Sequence, residues 1–320
     1  MKVSICCITY NQEEFISFAL DGFLMQKTDF EFDIVIGEDC STDNTLKIIK
    51  SYQEKYPGKI KLHANFSNKG MMNNFSQTLK ACNGEYIALC EGDDYWVDEN
   101  KLQKQVDFLE VNTDYSICFH RVYSLEKDKR PVLSNLNSSL KQETYSIQDL
   151  ARGNFIHTPS VVFRNGLITK MPEWFKDSPV GDYVIYLLNA KYGLIKYLPE
   201  AMAVYRISTG IWSGQKREVM AKAWLKVVTL LLQEDFGMET NVIIKDHWRN
   251  CANAYLNFFF PLDMPGFIEE LQALAKVDEA ILYDWAFNQY PNFIKNMLGS
   301  KSYKIGKKIS TIGNKMRFNH

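Results

Sequence analysis

The first third of the chain alternates two hydrophobic patterns. Short runs of apolar and β-branched residues predict buried strands, and they read VSICCIT, FDIVIG, KIKLHA and YIALCE. Between them, apolar side chains recur every three or four positions, as in an amphipathic helix, in NQEEFISFALDGFLMQ, STDNTLKIIKSYQEKY and MMNNFSQTLKAC. Strands that are apolar on both faces and separated by helices predict an α/β fold with a mainly parallel sheet flanked by helices.

The helix starts carry capping signals. Asn11, with Glu14 three residues later, is the candidate N-cap of the first helix. Ser41 or Asp43 would cap the second, which we expect to stop before Pro57.

The pattern continues beyond the fourth strand and then changes. A helix is predicted over 98–110, followed by the strand YSICFH and a polar loop over 126–141. Further strands are predicted at TPSVVFR, LIKYL and AMAVYRI, with the helix DYVIYLLNAKYG between the first two. After Gly214 the pattern is helical. We therefore predict an α/β domain over 1–213 and a helical C-terminal region over 214–320.

Acidic residues concentrate where the predicted strands end. They are Glu13 and Glu14 after the first strand, Glu38 and Asp39 after the second, and Glu91, Asp93 and Asp94 after the fourth. The carboxyl ends of parallel strands meet at one sheet edge, where α/β folds bind ligands. Two interpretations stay open: a solvated acidic turn, or carboxylates that hold Mg²⁺ or Mn²⁺, which prefer oxygen ligands.

Composition narrows the class of protein. The chain has 320 residues, 46% of them apolar, and a net charge of −1, so no overall attraction to nucleic acid is expected. Its seven cysteines form an odd set without a Cys-x-x-Cys spacing, which favours free thiols in a reducing compartment. No signal segment or membrane span is evident, and a cytoplasmic location is the prediction.

The C-terminal tail is basic. After Asp284 every charged residue is Lys or Arg, interspersed with apolar residues. Such a tail is either a peripheral contact with anionic lipid at the inner face of the cell membrane or a solvated end of the chain. The sequence leaves both interpretations open, and it leaves a homo-oligomer open as well.

Six segments, in order, resemble the inverting family 2 glycosyltransferases with the Rossmann-like GT-A fold. The resemblance covers roughly 1–213. VSICCITYNQEEFI is similar to the opening strand and its YN-x-E turn, IGEDCSTDNT to the DD-x-S-x-D-x-T segment, and NKGMMNN to the N-x-G helix start. EGDDYW resembles the D-x-D site, GDY the acceptor-side carboxylate, and YRISTGIWSG the closing YR…WSG loop.

The resemblance implies a nucleotide-sugar donor, with a UDP-sugar as the expected type. Asp39 would accept from the uracil N–H, and Thr9 and Tyr10 would cradle the base and ribose. Donor contacts are also expected from two turns, and the residues concerned are Glu13, Asn68, Lys69 and Gly70. A core role for Tyr10, a surface role for Lys69 and a helix-capping role for Asp43 are the open alternatives.

The same resemblance implies a metal ligand and roles for the other residues of the turn EGDD. Asp93 is the expected principal ligand of Mn²⁺ or Mg²⁺, with phosphate oxygens and water completing the shell. Gly92 allows close approach of the backbone to the ligand. Glu91 stands where the family more commonly has Asp and would bond the ribose, and Asp94 would bind metal through water or orient the turn.

An inverting transfer needs a general base on the acceptor side. Asp182 occupies that position in the family pattern, with Asp177 as the second candidate and a helix cap as the alternative role. Many relatives have a His shortly after YR, where this chain has Ser208. The expected acceptor is a hydroxyl of a glycan or a lipid-linked molecule, of the kind used in bacterial surface polysaccharides.

Three competing functions are weighed against this hypothesis. A sugar-nucleotide nucleotidyltransferase would carry a Gly-rich loop where this chain has TYNQEE, and a processive synthase would carry Q-x-x-R-W and membrane helices. A catalytically degenerate module that only binds sugar nucleotides stays open, because Glu91 and Ser208 depart from the family pattern.

Overall fold

The computed structural model describes residues 1–136, 140–207, 215–259 and 263–289. The chain divides into two compact units, Met1–His247 and Trp248–His320. The first contains the sheet, and the described part of the second is helical. The domain boundary predicted after residue 213 lies outside the described residues and stays a prediction.

In the described residues the first unit is built on one ten-stranded mixed sheet. The strands are β1 Val3–Thr9, β2 Phe32–Glu38, β3 Ile60–Ala64, β4 Tyr86–Leu89, β5 Tyr95–Trp96, β6 Tyr115–Glu126, β7 Val132–Leu133, β8 Thr144–Tyr145, β9 Val162–Arg164 and β10 Leu194–Ile207. Their order is β3-β2-β1-β4-β9-β6-β10-β5, with β7 beside β6 and β8 beside β10.

The described chain also contains ten α-helices. They are α1 Ile16–Leu24, α2 Thr45–Lys55, α3 Met71–Ala81, α4 Lys101–Val111, α5 Ile147–Ala151, α6 Asp182–Ala190, α7 Arg217–Leu231, α8 Met238–Leu256, α9 Met264–Ala275 and α10 Ala280–Asp284. Two 3₁₀ turns, Thr158–Ser160 and Glu173–Asp177, precede β9 and α6. The α/β prediction is confirmed.

Strand direction separates the sheet into two parts. Strands β3, β2, β1 and β4 are mutually parallel, as the helical connections between them require. Strand β9 then inserts between β4 and β6 antiparallel to both. The sheet is therefore mixed rather than uniformly parallel.

Alternation along β1 explains why both faces of the parallel part are buried. Val3, Ile5 and Cys7 join one core cluster with side chains of α1, α2 and α4. The opposite face meets α3, which packs so closely on β2 that a Cβ on Gly37 would lie 2.6 Å from Asn74 Oδ1. All seven cysteines are free thiols, five of them buried, as the sequence predicts.

Two local predictions are wrong. The sequence predicts separate strands at LIKYL and AMAVYRI, but β10 runs continuously because register shifts at Leu198/Ala201 and Ala201/Ala203 absorb the intervening Pro199. Asn11 is not an N-cap, since its φ is 52° and α1 begins five residues later. Its Oδ1 instead accepts from the Thr42 N–H at 2.8 Å.

The predicted cap at Asp43 is partly confirmed. Helix α2 has Asn44 at its N-cap position without a side-chain cap bond. Asp43 Oδ1 nevertheless accepts from the N–H of Thr45, the first helical residue, at 2.9 Å. Its other oxygen accepts from the Glu13 N–H at 3.0 Å. Asp43 thus joins the loop after β1 to the start of α2.

The second unit has its own small core. Trp248 and Leu256 from α8, Leu274 from α9 and Ile281 from α10 are buried. An ion pair of 2.6 Å joins Arg249 to Asp278 within this unit. Within the described residues, no helix combines the length and apolar character needed to cross a bilayer.

Candidate functional site

A cavity of about 550 Å³ opens at the carboxyl ends of β1, β2 and β4. The sequence-predicted residues that line it are Thr9, Tyr10, Asp39, Asn68, Gly70, Glu91, Asp93 and Asp182. Sequence positions up to 173 apart are thereby brought to one site. The predicted residues that flank the cavity without lining it are Glu13, Lys69, Gly92 and Asp94.

The end of β1 packs directly against the acidic turn after β4. The Gly92 N–H donates to Ile8 O at 3.0 Å, and the Thr9 hydroxyl donates to Gln12 Oε1 at 2.7 Å. A Cβ on Gly92 would lie 2.5 Å from Gln12 Oε1 and 2.8 Å from Thr9 Oγ1. A larger residue at position 92 would therefore displace the side chains of Gln12 and Thr9.

Asp39, at the end of β2, is 2% exposed and organises the loop before α3. Its Oδ1 accepts from the Lys69 N–H at 2.8 Å and from Asn65 Nδ2 at 2.9 Å. Its Oδ2 accepts from the Gly70 N–H at 2.9 Å. Gly70 has a φ of 82°, a left-handed conformation that favours glycine. Because each carboxylate oxygen has two lone pairs, Oδ2 keeps capacity for one further donor.

Glu13 and Lys69 lie beside the cavity in different ways. Glu13 is exposed, and its Oε2 accepts from the backbone N–H of Asn44 at 2.8 Å and from the side-chain amide of the same residue at 2.7 Å. Glu13 therefore ties two loops together. Lys69 is exposed, and its backbone, through the bond to Asp39, contributes to the described network.

We call residues 91–94 the carboxylate turn. The Asp94 N–H donates to Glu91 O at 3.1 Å, which closes the turn. Asp94 Oδ1 accepts from the Arg206 N–H at 2.7 Å. Asp94 Oδ2 is buried and has no hydrogen-bond partner among the described residues. Asp93 is 4% exposed and lines the cavity.

Arg206, near the end of β10, binds the carboxylate turn and also lines the cavity. Its guanidinium donates to the backbone carbonyl of Asp93 and lies over three aromatic rings. The rings and their distances from Arg206 Cζ are Tyr95 at 4.6 Å, Phe15 at 4.8 Å and Phe18 at 5.1 Å. The carbonyl of Asp93 is thus tied to the end of β10, and Asp93 is one of the residues that line the cavity.

Burial and like charge raise the pKa values of the carboxylate turn. The pKa of Glu91 rises to about 8, through burial first and then through the negative charges of Asp93 and Asp182. Burial and Asp93 raise the pKa of Asp94 well above its usual range, against the hydrogen bond from Arg206. Ionising the whole turn at neutral pH therefore requires added positive charge.

The donor chemistry of this turn fits a hard divalent cation. Its side-chain oxygens are carboxylate oxygens, and buried Asp94 Oδ2 has no hydrogen-bond partner among the described residues. In the described part of the chain, no three His, Cys, Asp or Glu side chains converge as a metal cage. A cation here would take one or two protein ligands and fill its shell with phosphate and water, as Mg²⁺ does.

Asp182 is the first residue of α6 and faces the same cavity. Its Oδ1 accepts from the Tyr183 N–H at 2.7 Å, and its Oδ2 accepts from the Thr158 hydroxyl at 3.0 Å. Burial raises the pKa of Asp182, while these two bonds oppose the rise. The carboxyl is thus held in one orientation by donors from two different elements.

The remaining wall of the cavity is largely apolar. Met72 and Phe75 of α3 meet the loop before α6, where a Cβ on Gly181 would lie 2.7 Å from Phe75 Cδ1. Ile156 and Trp224 complete this side. A ligand in the cavity would therefore meet both carboxylates and apolar side chains.

Three residues of the site were given no role from the sequence. They are Gln12, Thr158 and Arg206. Their hydrogen-bond partners Thr9, Asp182 and Asp93 are 3, 24 and 113 positions away. The YR pair of the closing loop marked Arg206 as part of a motif, but nothing local indicates its partner. Ser208, Trp212 and Ser213 lie outside the described residues.

Comparison with known proteins identifies the family. A sequence profile of glycosyl transferase family 2 matches residues 4–170. The chain belongs to this family.

Relatives agree with the profile. An uncharacterised protein of Mycobacterium tuberculosis is 40% identical over 215 residues, which are 66% of this chain and 60% of that protein. The poly(ribitol-phosphate) beta-N-acetylglucosaminyltransferase TarS of Staphylococcus aureus is 29% identical over 183 residues, 55% of this chain and 30% of TarS.

Solved structures give the same fold. TarS residues 1–349 in complex with UDP-GlcNAc superimpose with a TM-score of 0.65 at 20% identity, over 88% of this chain and 83% of that one. The mannosyltransferase PcManGT of Pyrobaculum calidifontis, in complex with GDP-Man and Mn²⁺, gives a TM-score of 0.58 at 15% identity, over 97% and 84%. The GT-A fold is confirmed.

Proposed function

We propose that this chain transfers a sugar, with inversion, from a nucleoside-diphosphate sugar to a hydroxyl of a glycan or lipid-linked acceptor. The observation that carries the proposal is a single cavity that contains Asp39, Asp93 and Asp182. These residues offer a base-binding carboxylate, a cation-binding carboxylate and a general base in one cavity. Family membership supports the same reaction.

The nucleotide end of the cavity is the edge formed by β1, β2 and the loop before α3. Asp39 is preorganised by three N–H donors, so it offers its remaining acceptor capacity in a fixed direction. A pyrimidine N–H is a suitable donor for that position. UDP is therefore our proposed nucleotide, and the TarS complex with UDP-GlcNAc supports this choice by analogy.

The diphosphate end is the carboxylate turn, and Asp93 is our proposed ligand for Mn²⁺ or Mg²⁺. When bound, such a cation would neutralise the diphosphate as the sugar leaves it. Arg206 binds the backbone carbonyl of Asp93, which holds the turn at this edge of the cavity. Gly92 leaves the space through which the turn reaches the end of β1. Glu91, Gly92 and Asp94 then position the donor rather than react.

The acceptor end is the wall that contains Asp182. Inversion needs a base that removes the acceptor proton while the hydroxyl attacks the anomeric carbon opposite the diphosphate. The pKa of Asp182 is raised by burial, which makes its carboxylate a stronger base than an exposed aspartate. The apolar side chains of α3 exclude water from this end and favour transfer over hydrolysis.

Two experiments test the reaction. A panel of nucleotide sugars is screened for thermal stabilisation with and without Mn²⁺, because a ligand that binds the folded state raises the melting temperature. Release of the nucleoside diphosphate is then measured for the donors that stabilise. We expect stabilisation by a UDP-sugar with Mn²⁺ and release of UDP.

Single substitutions test the proposed roles of Asp93 and Asp182. Asp93→Asn should lose metal-dependent stabilisation, and Asp182→Asn should keep donor binding but lose turnover. Asp107→Asn, at an exposed position of α4, is the matched control and should behave as the wild type. Stabilisation by UDP without turnover on any donor would instead favour the sugar-nucleotide binding module. Undiminished transfer by Asp93→Asn would refute the metal assignment.

The cellular setting stays a prediction. Cytoplasmic location, contact of the basic C-terminal tail with the membrane, a surface-glycan acceptor and a homo-oligomer all follow from sequence or family alone. The tail lies outside the described residues.

A further inference from the structure

The 3₁₀ turn Thr158–Ser160 is the contact between the acceptor-side carboxylate and the strand that follows the carboxylate turn. At one end of the turn, the Thr158 hydroxyl donates to Asp182 Oδ2 at 3.0 Å. In its middle, the carbonyl of Pro159 accepts from Trp96 Nε1 at 2.9 Å. Trp96 lies in β5, two residues after Asp94. This turn therefore joins the two halves of the proposed active site.

Buried hydrogen bonds keep this turn in place. The Ser160 hydroxyl donates to His157 O at 2.6 Å, and the Ser160 carbonyl accepts from Gln105 Nε2 at 2.9 Å. Ser160 and Gln105 are fully buried, and Trp96 is 2% exposed. Moving the turn would leave these polar groups without partners in the protein interior, which is costly. The hydroxyl of Thr158 is thus presented from a rigid support.

Groups with ionisable acids or phenols surround Asp182. Glu91 approaches from the end of β4, Tyr186 lies one turn further along α6, and Tyr205 approaches from β10. None of them supplies a positive charge. His157, also on the cavity wall, has its pKa lowered to about 4 by burial and is neutral at pH 7. Hydrogen-bond donors therefore have to stabilise the ionised carboxylate.

We propose that Thr158 is a positioning residue for the general base: its hydroxyl fixes the orientation of the Asp182 carboxylate and favours the ionised form. This inference rests on the proposed function, because it assigns a role in the reaction of Asp182. The Tyr183 N–H supplies the second donor, but it belongs to the same helix as Asp182. Among the described residues, Thr158 is the one whose hydrogen bond connects the carboxylate to the turn anchored by Trp96.

Two substitutions separate the hydroxyl from the shape of the side chain. Thr158→Val keeps the branched shape and removes the donor, whereas Thr158→Ser keeps the donor. Losing a hydrogen bond to a carboxylate raises the pKa of that carboxylate by about one unit. The acidic limb of kcat/KM should then move up by about one pH unit in Thr158→Val, with kcat/KM about tenfold lower on that limb.

The measurement is the pH profile of UDP release in the presence of Mn²⁺. Thr158→Ser should return the limb close to its wild-type position, and the KM for the donor should stay unchanged in both variants. Thr28→Val is the matched control, because the Thr28 hydroxyl donates to Phe30 O at 2.7 Å, outside the residues that line the cavity. Its profile should equal that of the wild type.

The outcomes distinguish this inference from the proposed function. If the wild type turns over, Asp182→Asn does not, and the Thr158→Val profile superimposes on the wild type, the positioning role is refuted and the transferase stands. If no donor is turned over by the wild type, the transferase is refuted and the role of Thr158 with it. Should Thr158→Val unfold, Thr158→Ala replaces it, with the melting temperature as the check.

Discussion

Replacing Lys101 with methionine tests whether a buried lysine with a lowered pKa lies beside the residues that anchor the 3₁₀ turn Thr158–Ser160. Lys101 begins α4 and is fully buried. Its Nζ donates to Gln105 Oε1 at 2.8 Å and lies 4.1 Å from the centre of the Trp96 ring. Burial lowers the pKa of Lys101 to about 7. The lysine thus sits beside both residues that anchor the turn carrying Thr158.

The sign of the effect follows from proton linkage. In the unfolded chain Lys101 keeps its proton up to a pKa of about 10.4, whereas in the folded chain it releases the proton near pH 7. Between these values the unfolded state binds more protons, so the free energy of unfolding rises with pH. The contribution of Lys101 to the free energy of unfolding grows by at most about 1.4 kcal/mol per pH unit. Between pH 7 and pH 9 it therefore grows by about 2 kcal/mol.

The assay is urea unfolding followed by tryptophan fluorescence at pH 7 and pH 9, read on the transition of the unit that carries the sheet. Lys101→Met lacks the titrating amine, so the wild type should gain about 2 kcal/mol relative to the variant between the two pH values. Lys80→Met removes an exposed lysine and is the control. If the free energy of unfolding changes equally with pH in the wild type and in Lys101→Met, the lowered pKa of Lys101 and the burial argument behind it are refuted.

Three further predictions concern the packing and chemistry of the site. Gly22→Ala places a Cβ 2.9 Å from both the N and O of Trp96, so the free energy of unfolding should fall by about 1–3 kcal/mol, and wild-type urea stability would contradict this. Arg206→Lys loses the bond to the Asp93 carbonyl and should raise the Mn²⁺ concentration for half-maximal activity about tenfold. An unchanged dependence of activity on Mn²⁺ would argue that Arg206 does not position the carboxylate turn. Chelation with EDTA should abolish UDP release, and Mn²⁺ or Mg²⁺ should restore it, whereas full activity in EDTA excludes a metal requirement.

The local pattern of apolar and polar positions predicted the parallel part of the fold well. Strands β1 to β4 and helices α1 to α4 were each predicted within about four residues of their observed bounds, because burial on two faces leaves a continuous apolar run and burial on one face leaves a helical period. The acidic residues at the strand ends were likewise expected to meet, since parallel strands share one carboxyl edge. Among them, Asp39, Glu91 and Asp93 line the cavity.

Prediction failed where a contact links distant parts of the chain. The capping role expected of Asn11 was displaced by a bond to Thr42, on the loop after β2. The two strands predicted around Pro199 became one, because β6 offers a continuous parallel partner along their length. In both places a tertiary partner outweighed the local preference.

The amino-acid order by itself determined the strand and helix periods, the family motifs and the acidic strand ends, because each depends on residues within one turn or one strand. Only the tertiary structure decided which of those acids share a cavity and which side chains hold them. Arg206 reaches Asp93 across 113 positions and Thr158 reaches Asp182 across 24. Such pairings arise when buried polar groups must find partners in the folded chain, a condition that the neighbours of a residue in sequence do not encode.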